Sequence, residues 1–287
     1  MIVDSHVHMF PAFIRENRER FFPGEPAFKL LYDSPQAHLA GREALLRDMD
    51  REGVDRAVVF GFPWEDGETF RRHNDYIMES TARHSDRLTG LGCFSLTARD
   101  GAAEADRCLK GGLAGVGELA VYGREFSVEG LPVLSEVMAV CLEKDAPVLL
   151  HTNEPVGHNY PGKTSMRLSE VYAFVKVHPR NRIILAHWGG GLIFYALMKR
   201  EVQETLDHVW FDTAASPFLY RLQIYRTAVE IAGPDRILFG SDYPLIHFER
   251  YLAEIREAGL SLEAADRILG ENAASLFNLY PSFPAHE

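Results

Sequence analysis

Eight short apolar runs recur along the chain with helix-patterned stretches between them, and this alternation restricts the folds open to it. The runs occupy 1–9, 57–62, 88–94, 113–119, 147–152, 183–187, 209–213 and 237–242. Several are nearly continuous in hydrophobic and β-branched residues, as suits strands buried on both faces of a parallel sheet. The stretches at 42–53, 70–83, 131–143, 168–177, 192–206, 218–231 and 262–269 carry apolar residues at helical spacing, with Gly270 as a stop and Asn272 as the cap of a last helix. Strands separated by helices form βα units, and right-handed crossovers close eight of them most simply into a (β/α)₈ TIM barrel of the α/β class. An open doubly wound sheet is the structural alternative. The 287 residues suit one such domain over 1–287. Two segments exceed ordinary connectors, a Pro- and Phe-rich insertion at 10–40 and a loop at 153–167. Both leave the C-terminal ends of strands, where barrel active sites form. A lid, a pocket wall or a packed surface insertion is open for each.

Polar ionisable residues close these apolar runs. His6 and His8 end the first, and period-two alternation points both rings to one face. Glu118 lies in the fourth run, His151 in the fifth, His187 ends the sixth and Asp242 the eighth. An imidazole or carboxyl at the end of a buried strand is costly unless paired or metal-bound. Any one of the six could be a hydrogen-bonded core residue. Together, at strand ends that a barrel brings into one small volume, they point to a divalent metal site.

With these residues in place, the sequence resembles the amidohydrolase superfamily. It is closest to the amidohydrolase-related branch that includes aminocarboxymuconate-semialdehyde-decarboxylase-like proteins. The opening IVDSHVHMF, LAHWGGG, RILFGSDYP and ILGENAASLFNL carry the likeness, which spans nearly the whole chain. The resemblance implies a metal site of His6, His8, Glu118, His151, His187 and Asp242. With one ion, His6, His8, His151 and Asp242 hold it and His187 serves as acid, base or electrophilic donor. With two, Glu118 bridges. Zinc is the expected metal, with manganese or iron as alternatives. The implied activity is hydrolysis of a small ester, lactone or amide by metal-activated water, with Asp242 and His187 catalytic. The alternative is non-oxidative decarboxylation of a small unsaturated or aromatic acid.

Tyr122, Arg124, Asn153, His158, Tyr160, Lys163 and Trp188 follow the site residues and are candidate substrate contacts, with Arg167, Tyr243 and His247 nearby. Lys163, Arg124 and Arg167 suit a substrate carboxylate. Each is otherwise an ordinary loop residue. His38, His73, His84, His178 and His208 read as surface residues. A net charge of -11 argues against nucleic acid or an acidic membrane as partner, but not against a small anion. The three cysteines form no CxxC pair, and no signal peptide or membrane span is evident. A cytoplasmic enzyme with a small-molecule substrate, and a possible homodimer, is the expectation.

Overall fold

The computed structural model describes residues 1–280; residues 281–287 of the expected domain lie outside the described residues. Strands β1 (Val3–His8), β2 (Arg56–Phe60), β3 (Leu88–Gly92), β4 (Gly115–Leu119), β5 (Val148–Leu150), β6 (Ile183–Leu185), β7 (Val209–Asp212) and β8 (Ile237–Leu238) form one sheet in sequence order. Every neighbouring pair is parallel. The two-residue β8 contributes little to closure. The seam is made by the backbone that follows it: Ser5 N–H donates to Phe239 O at 2.8 Å, Asp242 N–H to His6 O at 3.0 Å, and His8 N–H to Tyr243 O at 2.9 Å. The sheet is therefore a closed (β/α)₈ barrel.

Alternate residues of the strands fill the interior. Val3, Val58, Phe60, Leu91, Leu149, Ile184 and Leu238 pack there, with Ala273, Ala274 and Phe277 of the C-terminal helix against the same cluster. A larger apolar layer lies between the strands and the surrounding helices. At two places the ladder is interrupted. The β1–β2 register shifts between Asp4 and Val7, and the β4–β5 register between Val116 and Leu119. Such irregularities re-aim side chains, and these two fall at His6 and Glu118.

Several helix boundaries differ from the sequence expectation. The stretch 192–206 is a 3₁₀ segment, Leu192–Leu197, followed by a helix at Arg200–Leu206. The stretch 218–231 divides into Ser216–Leu219 and Gln223–Ala232. Gly270 is not a stop. The chain runs through it as a π-helical turn, Arg267–Glu271, into Asn272–Leu276. Asn272 caps nothing at its own helix start. Its amide instead donates to Pro234 O and Ile237 O at 2.7 and 2.8 Å. A glycine commonly ends a helix by taking a left-handed conformation, and tertiary packing here keeps this backbone helical instead. Helices Gly101–Lys110 and Phe248–Glu257 complete the outer ring, although their patterns were not singled out in the sequence.

The insertion 10–40 folds into short helices, Ala12–Arg15 and Pro26–Tyr32, with a 3₁₀ turn at Arg18–Arg20. Phe10 and Phe28 are fully buried, with Phe28 4.4 Å from Trp64 between ring centroids. The buried carboxylate of Glu25 accepts from the backbone N–H groups of Glu65 and Asp66. The insertion is thus sealed onto the loop after β2. Among the described residues no helix is long and apolar enough to cross a membrane.

Candidate active site

The six strand-end residues meet at the C-terminal mouth of the barrel. His6 and His8 come from β1 and Glu118 from β4. His151, His187 and Asp242 lie just beyond β5, β6 and β8, outside regular strand geometry. His187 and Asp242 have φ of 56° and 62°, the left-handed region that non-glycine residues occupy at a cost. Strain of this kind clusters at functional sites. Glu118 depends on the residue before it. Gly117 has φ 143°, and a Cβ there would lie 2.5 Å from Leu149 O. Only glycine lets β4 approach β5 closely enough to turn Glu118 inward.

Hydrogen bonds on the outer nitrogens aim the rings. His8 Nδ1–H donates to Gly61 O at 3.1 Å and His187 Nδ1–H to Ala214 O at 3.0 Å. His6 Nδ1–H donates to Asp212 Oδ2 at 2.8 Å, between two fully buried side chains. These bonds leave the three Nε2 lone pairs facing the cavity. His6 Nε2 is buried with no hydrogen-bond partner. Glu118 Oε2 and Asp242 Oδ1 both lie 3.7 Å from it, and they lie 3.6 and 3.3 Å from His8 Nε2. His151 is turned the other way. Its Nε2–H donates to Gly162 O at 3.1 Å, and Nδ1 faces Glu118 Oε1 at 2.9 Å. His187 Nε2 is 3.4 Å from the same oxygen. Glu118 therefore faces one triad with each oxygen, His6–His8–Glu118 and Glu118–His151–His187, and both triads have metal-binding spacing. Imidazoles fixed by a second bond, with an orphaned inner nitrogen, have the arrangement of metal ligands. The residues present fit a divalent ion.

The electrostatics agree. Burial would depress His6, but Asp212, Glu118 and Asp242 outweigh it and raise its pKa to about 10. Burial is likewise outweighed at His187, which Glu118 and Asp242 raise to about 9. Burial would raise Asp242, yet His8, His6 and His187 hold it at about 2. Glu118 is kept well below the usual carboxylate range, as His6 and His151 overcome its burial. Two ionised buried carboxylates demand compensating positive charge, supplied by ring protons or by a cation that replaces them.

The other candidate contacts divide. Tyr122 stays at the mouth, its ring 6.1 Å from His151 and stacked on Phe62 at 11°. Asn153 is buried and clamps its own loop, accepting from Thr164 N–H and Oγ1–H at 2.8 and 2.7 Å. Lys163 Nζ and Tyr160 OH both bind Glu154, at 3.0 and 2.8 Å. Their polar groups thus brace loop 153–167. His158 and Arg124 are exposed, and Arg167 pairs with Glu125. Trp188 is fully buried, donating to Ser216 Oγ at 3.0 Å and packing on Tyr225. Tyr243 OH donates to Asp48, and His247 pairs with Glu52.

Sequence reasoning passed over three residues and misplaced a fourth. Asp212 ends β7 and carries the signal used for the other strands, a carboxyl closing an apolar run. Besides His6, it accepts from the N–H groups of His187 and Ala214 at 2.8 and 3.0 Å. Asp4, buried in β1, accepts from Ser241 N–H at 3.0 Å across the seam, and its burial raises its pKa to about 7. Phe60 sets its ring edge-on to both His6 and His8. His73 was expected at the surface but is buried. Burial lowers it to about 4 and leaves it neutral. Its polar position within an amphipathic helix concealed the inward face. His38 is exposed, whereas His84, His178 and His208 are half-buried.

Residues 3–279 match the Amidohydrolase family. The chain is 26% identical over 256 residues to a γ-resorcylate decarboxylase from Rhodococcus jostii, covering 73% of this chain and 76% of that one. Among solved structures it is similar to 5-carboxyvanillate decarboxylase from Sphingomonas paucimobilis, with a TM-score of 0.75 at 17% identity over 97% of this chain and 99% of that one. It is also similar to a dihydroxybenzoic acid decarboxylase from Polaromonas with bound manganese and 2-nitroresorcinol, with a TM-score of 0.71 at 19% identity over 97% of each.

Proposed function

The chain belongs to the amidohydrolase family, and from that premise we propose that it is a metal-dependent, non-oxidative decarboxylase of a small aromatic carboxylic acid. The observation that carries this reading is the sequence likeness, over 256 residues, to a protein named for decarboxylating an aromatic acid. It moves the reaction from the hydrolysis first expected to the alternative. The composition of the mouth supports the move. Phe60 stands edge-on to His8, Tyr122 lies beside His151 and stacks on Phe62, and Tyr32 of the insertion lies 6.0 Å from Phe62. A flat aromatic ring finds stacking and edge-on partners there.

His6, His8, Glu118 and Asp242 would hold the ion, for which we favour manganese, with zinc compatible with the same nitrogen and oxygen donors. Bound there, it would supply the Lewis-acid charge that holds a carboxylate and an adjacent hydroxyl. The protein does the rest. Phe62 and Tyr122 orient the ring. Burial, then the charges of Glu118 and Asp242, push the Tyr122 phenol well up, so it remains a neutral donor. Breaking the ring–carboxylate bond releases CO₂ and leaves an electron pair on the ring carbon, which takes up one proton. His187 would deliver that proton: its Nδ1 bond to Ala214 O keeps Nε2 aimed into the cavity, 3.4 Å from Glu118 Oε1.

The test is incubation of the manganese-loaded protein with 2,6-dihydroxybenzoate and related hydroxybenzoates. Expected are CO₂ release abolished by chelator and, in D₂O, one deuterium at the vacated carbon. No CO₂ from any of these acids, with metal bound, would overturn the reading. Glu118 favours a second one. A carboxylate facing a triad with each oxygen suits two ions and a bridging-water hydrolase. Two ions per chain, with turnover of esters or lactones instead of acids, would put hydrolysis first.

A further inference from the structure

We propose that His73 is a positioning residue for the metal ligand His8, setting its tautomer and aim through Met9 and Gly61. The inference rests on the metal-dependent reading above. His73 lies on the helix Gly67–Arg83, outside the ligand cluster, with its ring buried. Both ring nitrogens are committed. Trp64 Nε1–H donates to His73 Nδ1 at 2.9 Å, and His73 Nε2 lies 2.8 Å from Met9 O. An indole N–H can only donate and a carbonyl can only accept. Nδ1 is therefore the acceptor and Nε2 carries the hydrogen. One neutral tautomer satisfies both bonds.

The two backbone groups that His73 governs are those that hold His8. Met9 follows His8 directly, so the bond to Met9 O pins the end of β1 as the chain leaves the barrel. On the other side the His73 ring lies flat against Gly61. A Cβ on Gly61 would come within 2.8 Å of Nδ1. This contact fixes the Gly61 peptide, whose carbonyl accepts from His8 Nδ1–H at 3.1 Å and so turns Nε2 toward Glu118 and Asp242. His73 itself is held from outside. Trp64 is wedged between Phe28 of the insertion and Phe62, at 4.4 and 5.0 Å. The Asp66 side chain caps the helix by accepting from Thr69 N–H at 2.8 Å. The line of contact thus runs from the insertion, through Trp64 and His73, to a ligand.

The test compares His73→Gln with His73→Leu, by calorimetric titration of Mn²⁺ and by thermal midpoint. A glutamine amide can accept from Trp64 and donate to Met9; a leucine fills space and does neither. Outer bonds to ligating histidines are worth roughly 10–100-fold in metal affinity. His73 acts on such a bond at one remove, so His73→Leu is expected to lose affinity by about tenfold, the lower end of that range, while His73→Gln stays near wild type. Equal affinities for His73→Leu and wild type, or equal losses for the two variants, would overturn the proposal in favour of plain packing. Should His73→Leu fail to fold, Trp64→Phe, which removes the donor to Nδ1 together with part of the indole's packing, is expected to weaken Mn²⁺ by up to about tenfold, and unchanged binding would overturn it. Wild-type protein that takes up no Mn²⁺ would refute the metal reading itself and this inference with it. Wild-type binding with an unaffected His73→Leu would refute this inference alone.

Discussion

Replacing Asp212 by asparagine alters the site by one atom and one charge, and its consequences can be worked out from the bonds. Oδ1 accepts from the N–H groups of His187 and Ala214, and an asparagine oxygen can keep both. The changed atom then faces His6 Nδ1, 2.8 Å away between fully buried side chains. An amide NH₂ there can only donate, so His6 Nδ1 must accept and its hydrogen moves to Nε2. Nε2 is the buried atom left without a partner; protonated, it can no longer ligate. The lost bond is charge-assisted, a class worth about 1.5–3 kcal/mol, and each 1.4 kcal/mol is about tenfold in binding. Asp212→Asn should therefore weaken Mn²⁺ roughly 10–100-fold by calorimetric titration, with the circular dichroism spectrum unchanged. Binding within about twofold of wild type would refute the argument that Asp212 sets the His6 tautomer.

Metal-free stability should depend on pH in a defined way. His6 and His187, raised to about 10 and about 9, contribute stability that is complete below the ordinary histidine value of about 6.5 and lost as pH rises through 9 to 10. Asp242, held at about 2, contributes stability present above about 3.9 and lost as pH falls through 2. The midpoint by scanning calorimetry should peak between these limits, and a flat profile from pH 7 to 10 would count against the histidine argument. Mn²⁺ must displace the ring protons, so its binding should strengthen as pH rises toward 9, with proton release visible in buffers of different ionisation heat. Gly117→Ala should destabilise by at least about 1–3 kcal/mol in urea unfolding, because its Cβ meets Leu149 O, and should also lower metal content; a neutral effect would mean β4 can relax away from β5. Glu25→Ala strips the acceptor from two N–H groups after β2, costing about 1–3 kcal/mol, and limited proteolysis should then cut within 10–40 faster than in wild type.

Much of the site was legible because of how a barrel is built. His6, His8, Glu118, His151, His187 and Asp242 each end or follow an apolar run, and a closed parallel sheet brings all such ends to one mouth. Asp212 carried the same mark and was overlooked. His73 carried a misleading one, since a polar residue on an amphipathic helix ordinarily faces water. The candidate substrate contacts were less legible. Lys163 suits a substrate carboxylate in sequence, yet its ammonium is committed to Glu154 within its own loop.

The sequence by itself determined the class of fold and the inventory of imidazole and carboxyl groups at the barrel mouth, because short apolar runs and their polar ends are properties of local order. Tertiary structure decided which nitrogen of each ring faces inward. That choice depends on partners remote in the chain. Asp212 lies 206 residues from His6, and Gly61 lies 53 from His8. A strand pattern states that two imidazoles share a face; only the carbonyl or carboxylate behind each ring settles where its lone pair points.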